Sequence, residues 1–252
     1  DAAGDTYLLI EGLIGSNHSD QLYGSALGDW LYGGSGNDTL IGGAGADVLH
    51  GGDGFDFVSY ADADAALRID LINTSTNTGE AAGDSYSSIE AVTGSLFSDQ
   101  IYGNSADNYL DGSNGNDQLY GQAGNDTLWG GAGADSLNGG TGNDVLRGAK
   151  GSDWLTGGAG ADTFYLVGTD DTGDIVLDYQ PTQGDVLSLG GVGFVRSQFS
   201  VSFANVAGVG SSNINDARVT HTPTGVVFWT IADGAALTDL ILLIGTTSYD
   251  LL

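Results

Sequence analysis

Between about residues 15 and 165 the chain repeats itself every nine residues. Each unit begins with glycine, carries an aspartate at its sixth place and an apolar residue at its eighth. The cleanest copies are GGSGNDTLI (33–41), GGAGADVLH (42–50) and GGTGNDVLR (139–147). A fixed period of this length marks a solenoid, in which each unit is too small to bury an apolar face alone and must stack on its neighbours. The glycine-rich six-residue half predicts a turn, and the remaining three residues predict a short strand.

Two arrays can be counted. The first has five units, beginning at Gly15, Gly24, Gly33, Gly42 and Gly51; the second has eight, from Gly94 to Gly157. Place eight is apolar in all 13 units and place six is aspartate in 12, with Asn108 as the exception. Two units make one coil, with a turn on each side. The acid of one unit then lies against the acid two units later: Asp20 with Asp38, Asp29 with Asp47, and so on along both edges. One inward apolar side chain per nine ordered residues is a thin core against the entropy of ordering the chain. Stacked carboxylates weaken it further, so something must bind the folded form in preference to the unfolded one.

Composition says what. There are 33 Asp and Glu against 5 Lys and Arg, a net charge of −28. Such acidity usually marks a disordered tail; here 40% of residues are apolar and the acids keep a fixed spacing, which argues for a fold. Carboxylates backed by main-chain carbonyls are hard oxygen donors, suited to calcium more than to softer metals or to magnesium. Acid pairs two units apart, admitting Glu11, Glu90 and Asn108, number four in the first array (Glu11–Asp29 to Asp38–Asp56) and seven in the second (Glu90–Asn108 to Asp144–Asp162). About 11 divalent ions would take the charge from −28 to −6. Nucleic acid and anionic membranes are poor partners for so acidic a chain. No apolar run approaches the roughly 18 residues of a membrane span. The absence of cysteine excludes disulfides and thiol chemistry.

These units resemble the RTX (hemolysin-type) family, whose GGxGxDxUx nonapeptides form calcium-loaded parallel β-rolls in secreted bacterial proteins. The resemblance implies an all-β fold: a right-handed parallel β-roll with two nonapeptides per coil. It implies calcium at the place-six side chains Asp20, Asp29, Asp38, Asp47, Asp56, Asp99, Asn108, Asp117, Asp126, Asp135, Asp144, Asp153 and Asp162. It also implies that carbonyls at places two and four complete the sites. Those are Gly34 and Gly36, Gly43 and Gly45, Gly52 and Gly54, Gly115, Gly124, Gly131 and Gly133, Gly140 and Gly142, Gly151, and Gly158 and Gly160. The Ile10–Glu11 and Ile89–Glu90 pairs match the family's array openings. His18, Leu27, Phe97 and Ala106 replace the place-four glycine, so the array starts are expected to hold weaker or distorted sites.

Four segments follow: a first array (1–59), a linking segment (60–93), a second array (94–165) and a C-terminal β cap (166–252). The linking segment offers one strand in YADADAALRIDL (60–71), with Ile69 and Leu71 inward, then a polar loop (72–84). It reads as a bulge on a continuing roll or as a hinge between two rolls. The cap offers longer strands, among them TFYLV (163–167), DVLSL (185–189) and VVFWTI (226–231), expected as a β-sandwich-like cover for the last coil. Its Asp178 and Asp185 resemble the residues that hold a final calcium in serralysin-type proteins; ordinary surface aspartates are the alternative. Residues 2–24 recur as 81–103 with 14 of 23 positions identical, and the chain lacks methionine, which reads as a fragment of a longer repetitive protein. The closing YDLL resembles a type I export signal, implying secretion from a Gram-negative bacterium through type I machinery.

No nucleophile elbow, zinc helix or P-loop is present. His18, His50 and His221 are the candidate imidazole bases, none in a catalytic constellation. Outward Trp30, Trp129 and Trp154, with Tyr23, Tyr32, Tyr102 and Tyr120, offer an aromatic face. Sheet packing explains it, and polysaccharide is the alternative partner. The function expected is a calcium-binding module that folds after type I export, without an activity of its own. A carbohydrate-binding or adhesive module, or the non-catalytic tail of a secreted hydrolase, are the alternatives.

Overall fold

A computed structural model describes residues 11–167, 173–180 and 182–190 and the strands Phe199–Ala204, Asp216–His221, Val226–Ile231, Ile241–Ile244 and Thr247–Asp250. The fold is a parallel β-solenoid in which two nonapeptide units complete each turn. Its only described helices are two single 3-10 turns, Thr74–Thr76 and Gly79–Ala81. The chain forms two compact units, Asp1–Tyr102 and Gly103–Leu252.

In the first unit, strands Gly12–Ile14, Trp30–Ser35, Val48–Asp53 and Ser85–Ser87 pair in parallel in that order. Opposite them run Gln21–Tyr23, Thr39–Ile41, Phe57–Ser59 and Ala91–Thr93, also parallel. The register advances by two nonapeptides per coil within the array, as Leu31↔Leu49 shows, and then jumps. Leu49 pairs Tyr86 and Val58 pairs Val92, so the linking segment replaces the missing units with its own strands. Its expected strand is Arg68–Asp70, which pairs with Gln100–Tyr102; Ile69 and Leu71 are buried as expected.

In the second unit Gln118–Ala123, Ser136–Thr141 and Trp154–Ala159 stack on one side, and Tyr109–Asp111, Thr127–Ala132, Val145–Lys150 and Thr163–Val167 on the other. The C-terminal strands join these same sheets. Asp174–Val176 and Val226–Ile231 extend the first side, which ends in antiparallel Asp216–His221 and Phe199–Ala204. Val186–Gly190 and Ile241–Ile244 extend the second, closed by antiparallel Thr247–Asp250. Leu251 and Leu252 lie outside the described residues.

Place eight fills the interior. Leu31, Leu40, Leu49, Val58, Ile101, Leu110, Leu119, Leu128, Leu137, Leu146, Leu155 and Phe164 are buried, while Leu22 in the first described coil is half-buried. One expectation fails: the glycine-rich half is not all turn. In seven strands the pairing runs six residues, through places one to three of the next unit, as in Trp30–Ser35 and Thr127–Ala132. Pairing skips place one and resumes at place two, Gly34↔Gly52, where glycine takes φ near +111° and +115°. Positive φ is open to glycine at little cost, so the ladder bends around the edge without breaking.

Candidate metal centre

The turn at each edge brings its place-six side chain under the main chain of the preceding coil. In the first unit the N–H of Asp20 donates to Asp38 Oδ1, Asp29 to Asp47 and Asp38 to Asp56, each at 2.8 Å. In the second, Asn108 donates to Asp126, Asp117 to Asp135, Asp126 to Asp144 and Asp135 to Asp153 at 2.8 Å, and Asp144 to Asp162 at 2.9 Å. The pairing of acids two units apart, read from the sequence, is therefore a hydrogen-bonded column of carboxylates.

The second oxygen divides the repeats into two classes. In the units at Gly15, Gly24, Gly94 and Gly103 the side chain is served locally. Ser16 N donates to Asp20 Oδ2, Ser25 N to Asp29 Oδ2 and Ser95 N to Asp99 Oδ2, each at 2.6 Å, while Asn104 N donates to Asn108 Oδ1 at 2.7 Å. These are the units that lack the place-four glycine. In the other nine, places two and four both take positive φ, from Gly34 with Gly36 to Gly158 with Gly160. The place-two N–H is then turned away from the carboxylate. Oδ2 of Asp38, Asp47, Asp56, Asp126, Asp135, Asp144, Asp153 and Asp162 is buried with no hydrogen-bond donor among the described residues. Ser113, Gln122 and Ala149 hold the place-two conformation at φ 72°, 79° and 72° without being glycine, a strained setting for such residues.

A buried carboxylate oxygen without a donor costs free energy unless a cation or a proton meets it. Burial pushes the carboxyls of Asp47, Asp126 and Asp135 up to about 7, against the pull of the N–H each accepts. Burial also raises Asp56, Asp144, Asp153 and Asp162. Asp20 is lowered, chiefly by the Ser16 N–H and then its hydroxyl. Asp99 is raised because burial outweighs its donors.

Glycine at place one has a separate reason. A Cβ on Gly33 would overlap Asp38 Oδ2, and the same holds at Gly42, Gly121, Gly130, Gly139, Gly148 and Gly157 with their own aspartates. The open oxygen thus lies against bare backbone. Among the described residues no three His, Cys, Asp or Glu side chains converge on one point. A cation here must take most of its ligands from main-chain carbonyls, a donor set suited to a large hard ion and not to zinc. The orphaned oxygens fit calcium, and the open aspartates are the side chains that would hold it.

The remaining sequence candidates fall into place differently. Glu90 Oε2 accepts the Asp56 N–H at 2.9 Å, so it extends the first array's column across an irregular jump. Glu11 is exposed, and its carbonyl accepts the Trp30 N–H. Asp178 accepts the N–H groups of Gly157 and Gly158 at 2.8 and 2.7 Å, and Asp185 those of Asp162 and Gln180 at 3.0 and 2.7 Å. Both carboxylates cap turns with both oxygens engaged.

Sequence reasoning missed Asp84 and Asp174. Asp84 Oδ1 accepts the Asp47 N–H at 2.8 Å, and Asp174 Oδ1 that of Asp153 at 3.1 Å. Neither lies two units from its partner, and the irregular spacing hid them. Asp84 Oδ2 meets the hydroxyl of buried Tyr60 at 2.5 Å, so a phenol satisfies the oxygen that elsewhere stays open. Also missed was place five: Asn37, Asn116, Asn125 and Asn143 each accept, through Oδ1, an N–H of the next coil. The signal was an asparagine recurring before the aspartate.

A protein-family model described as RTX calcium-binding nonapeptide repeat (4 copies) matches residues 23–58, 93–128, 102–137, 111–146, 129–164 and 138–172. No match is found among the curated proteins. Among solved structures, the chain is similar to the AlgE6R3 subunit from the Azotobacter vinelandii mannuronan C5-epimerase. That match has 27% identity and a TM-score of 0.37, over 62% of this chain and 81% of that one. It is also similar to extracellular lipase LipA from Serratia marcescens, with 20% identity and a TM-score of 0.25 over 91% of this chain. This chain spans 38% of the lipase's length. The nonapeptide columns at 23–58 and 93–172 belong to the RTX calcium-binding repeat family.

Proposed function

We propose that this chain is a calcium-driven folding module of a larger secreted protein. The observation that carries the reading is the set of buried carboxylate oxygens without a donor among the described residues, at Asp38, Asp47, Asp56, Asp126, Asp135, Asp144, Asp153 and Asp162. Calcium supplies the positive charge these stacked carboxylates lack. The chain's own residues do the rest: the positive-φ glycines turn N–H groups away and leave oxygens facing the edge, and the main-chain ladder fixes their spacing. Where free calcium is scarce, neighbouring carboxylates repel and the thin core cannot hold the coils together. An unfolded, acidic chain suits export through type I machinery. Outside the cell, sites with Kd of about 10⁻⁴–10⁻³ M, usual for extracellular modules, fill at millimolar calcium. Each site adds RT ln(1 + [Ca²⁺]/Kd) to the folded state, about 0.4–1.4 kcal/mol at 1 mM calcium over that range of Kd.

The two classes of unit refine the number of ions. Asp20, Asp29, Asp99 and Asn108 already accept an N–H from their own turn. We therefore place the calcium at the nine units whose places two and four both take positive φ, about nine ions and not 11. A circular-dichroism titration tests the module: no β-signal in chelator at neutral pH and a cooperative gain on adding calcium. Full β-signal in chelator contradicts it.

A further inference from the structure

The first unit carries a valley on the outer face of one sheet that the calcium reading does not use. Along the stack, parallel pairing sets Trp30 and Val48 in one row and Ile14, Tyr32, His50 and Ser87 in the next. These residues line a cavity of about 500 Å³. Trp30 is 69% and Tyr32 42% exposed. Tyr32 leans on His50 with ring centroids 4.6 Å apart, and His50 Nδ1 lies 2.7 Å from Ser87 Oγ.

We propose that this valley binds a short stretch of neutral polysaccharide. Size argues first. Three residues of strand by four strands, at about 3.3 Å per residue and about 4.8 Å between strands, give roughly 150 Å². A standard protein interface takes about 800 Å² from each partner, so the face is too small for a protein. The cavity falls within the range of small-ligand sites, about 300–1,000 Å³. Chemistry argues second. A sugar ring has an apolar C–H face and a rim of hydroxyls. The indole and phenol offer flat apolar surfaces, with the Tyr32 hydroxyl, His50 and Ser87 beside them. Charge argues third: among the described residues no carboxylate, lysine or arginine lines the valley, and a chain at −28 disfavours an anionic polymer. An acyl chain would want an enclosed apolar slot, and this valley has exposed aromatic walls.

The test is titration calorimetry of the full chain with cellohexaose in millimolar calcium, with circular dichroism run alongside to show folding separately. Saturable binding at millimolar Kd or tighter is expected, with Trp30→Ala and Tyr32→Ala each roughly tenfold weaker. Trp154→Ala, which alters an exposed tryptophan of the other unit, is expected to bind like the parent. If Trp30→Ala loses its β-signal, protection of Trp30 in the unaltered chain against N-bromosuccinimide by cellohexaose replaces it. No saturable binding, parent-like binding by the folded Trp30→Ala chain, or no protection of Trp30 overturns the proposal. So does preference for polygalacturonate or for sodium dodecanoate.

Discussion

The main-chain N–H of Asp29 donates to Oδ1 of Asp47 at 2.8 Å, and Asp47 Oδ2 is buried with no donor among the described residues. One carboxylate therefore stitches two coils together with one oxygen and leaves the other waiting for a charge. Asp29 itself differs: its Oδ2 takes the Ser25 N–H at 2.6 Å.

The contrast separates the two classes of unit by mutation. Asp135→Asn keeps an acceptor for the Asp117 N–H but removes the charge at an open oxygen. It is expected to lower the calcium count by at least one and to raise the calcium midpoint of folding severalfold. Asp20→Asn, in a unit whose carboxylate is already served by Ser16, is expected to leave the count unchanged. Calorimetric titration of both variants checks the pair.

Stacking of backbone on backbone sets the second expectation. A Cβ on Gly133 would overlap the carbonyl oxygen of Gly115, at φ +149°. Gly133→Ala is expected to cost about 2–3 kcal/mol or more, since strain and overlap add. Ala149→Gly relieves a non-glycine residue at φ 72° and is expected to stabilise by about 1 kcal/mol. Urea unfolding of the calcium-loaded chains measures both.

Acidity should act in opposite directions with and without the ion. Asp47, Asp126 and Asp135 have folded-state values of about 7, raised from the ordinary carboxylate value by burial. A raised value means the folded chain holds more protons than the unfolded one. In chelator, their contribution to stability is present below about pH 4 and is lost as pH climbs to about 7. With calcium bound the carboxylates must be ionised, so acid displaces the ion and removes the stability that binding adds. Melting temperatures in calcium are expected to lie well above those in chelator at pH 7.5 and to converge on them towards pH 4.

Tyr60 tests the one described place where a phenol stands in for a cation. Tyr60→Phe leaves Asp84 Oδ2 without that donor and is expected to cost about 1–3 kcal/mol, an effect that extra calcium does not repair. Chemical unfolding at low and high calcium reads the difference.

Much of this was legible from the chain. Period nine placed the inward column Leu31 to Phe164 and the pairing of aspartates two units apart, because both follow from stacking identical units. The missing place-four glycines at His18, Leu27, Phe97 and Ala106 marked the array starts, and those are the units whose side chains are capped. What escaped depends on contacts between segments of unequal length. Asp84 and Asp174 join the columns only because a loop of the right size delivers them, which no spacing rule shows. The strand character of places one to three escaped too, because glycine at positive φ reads as a turn although its N–H and C=O continue the ladder.

The most direct measurement counts ions against fold. Titrating chelated protein with calcium at pH 7.5, while following both heat and β-signal, is expected to show about nine ions taken up together with a single cooperative gain of structure. A chain already folded in chelator, or one that folds while binding no calcium, would contradict the central claim that the open carboxylate columns are completed by the ion.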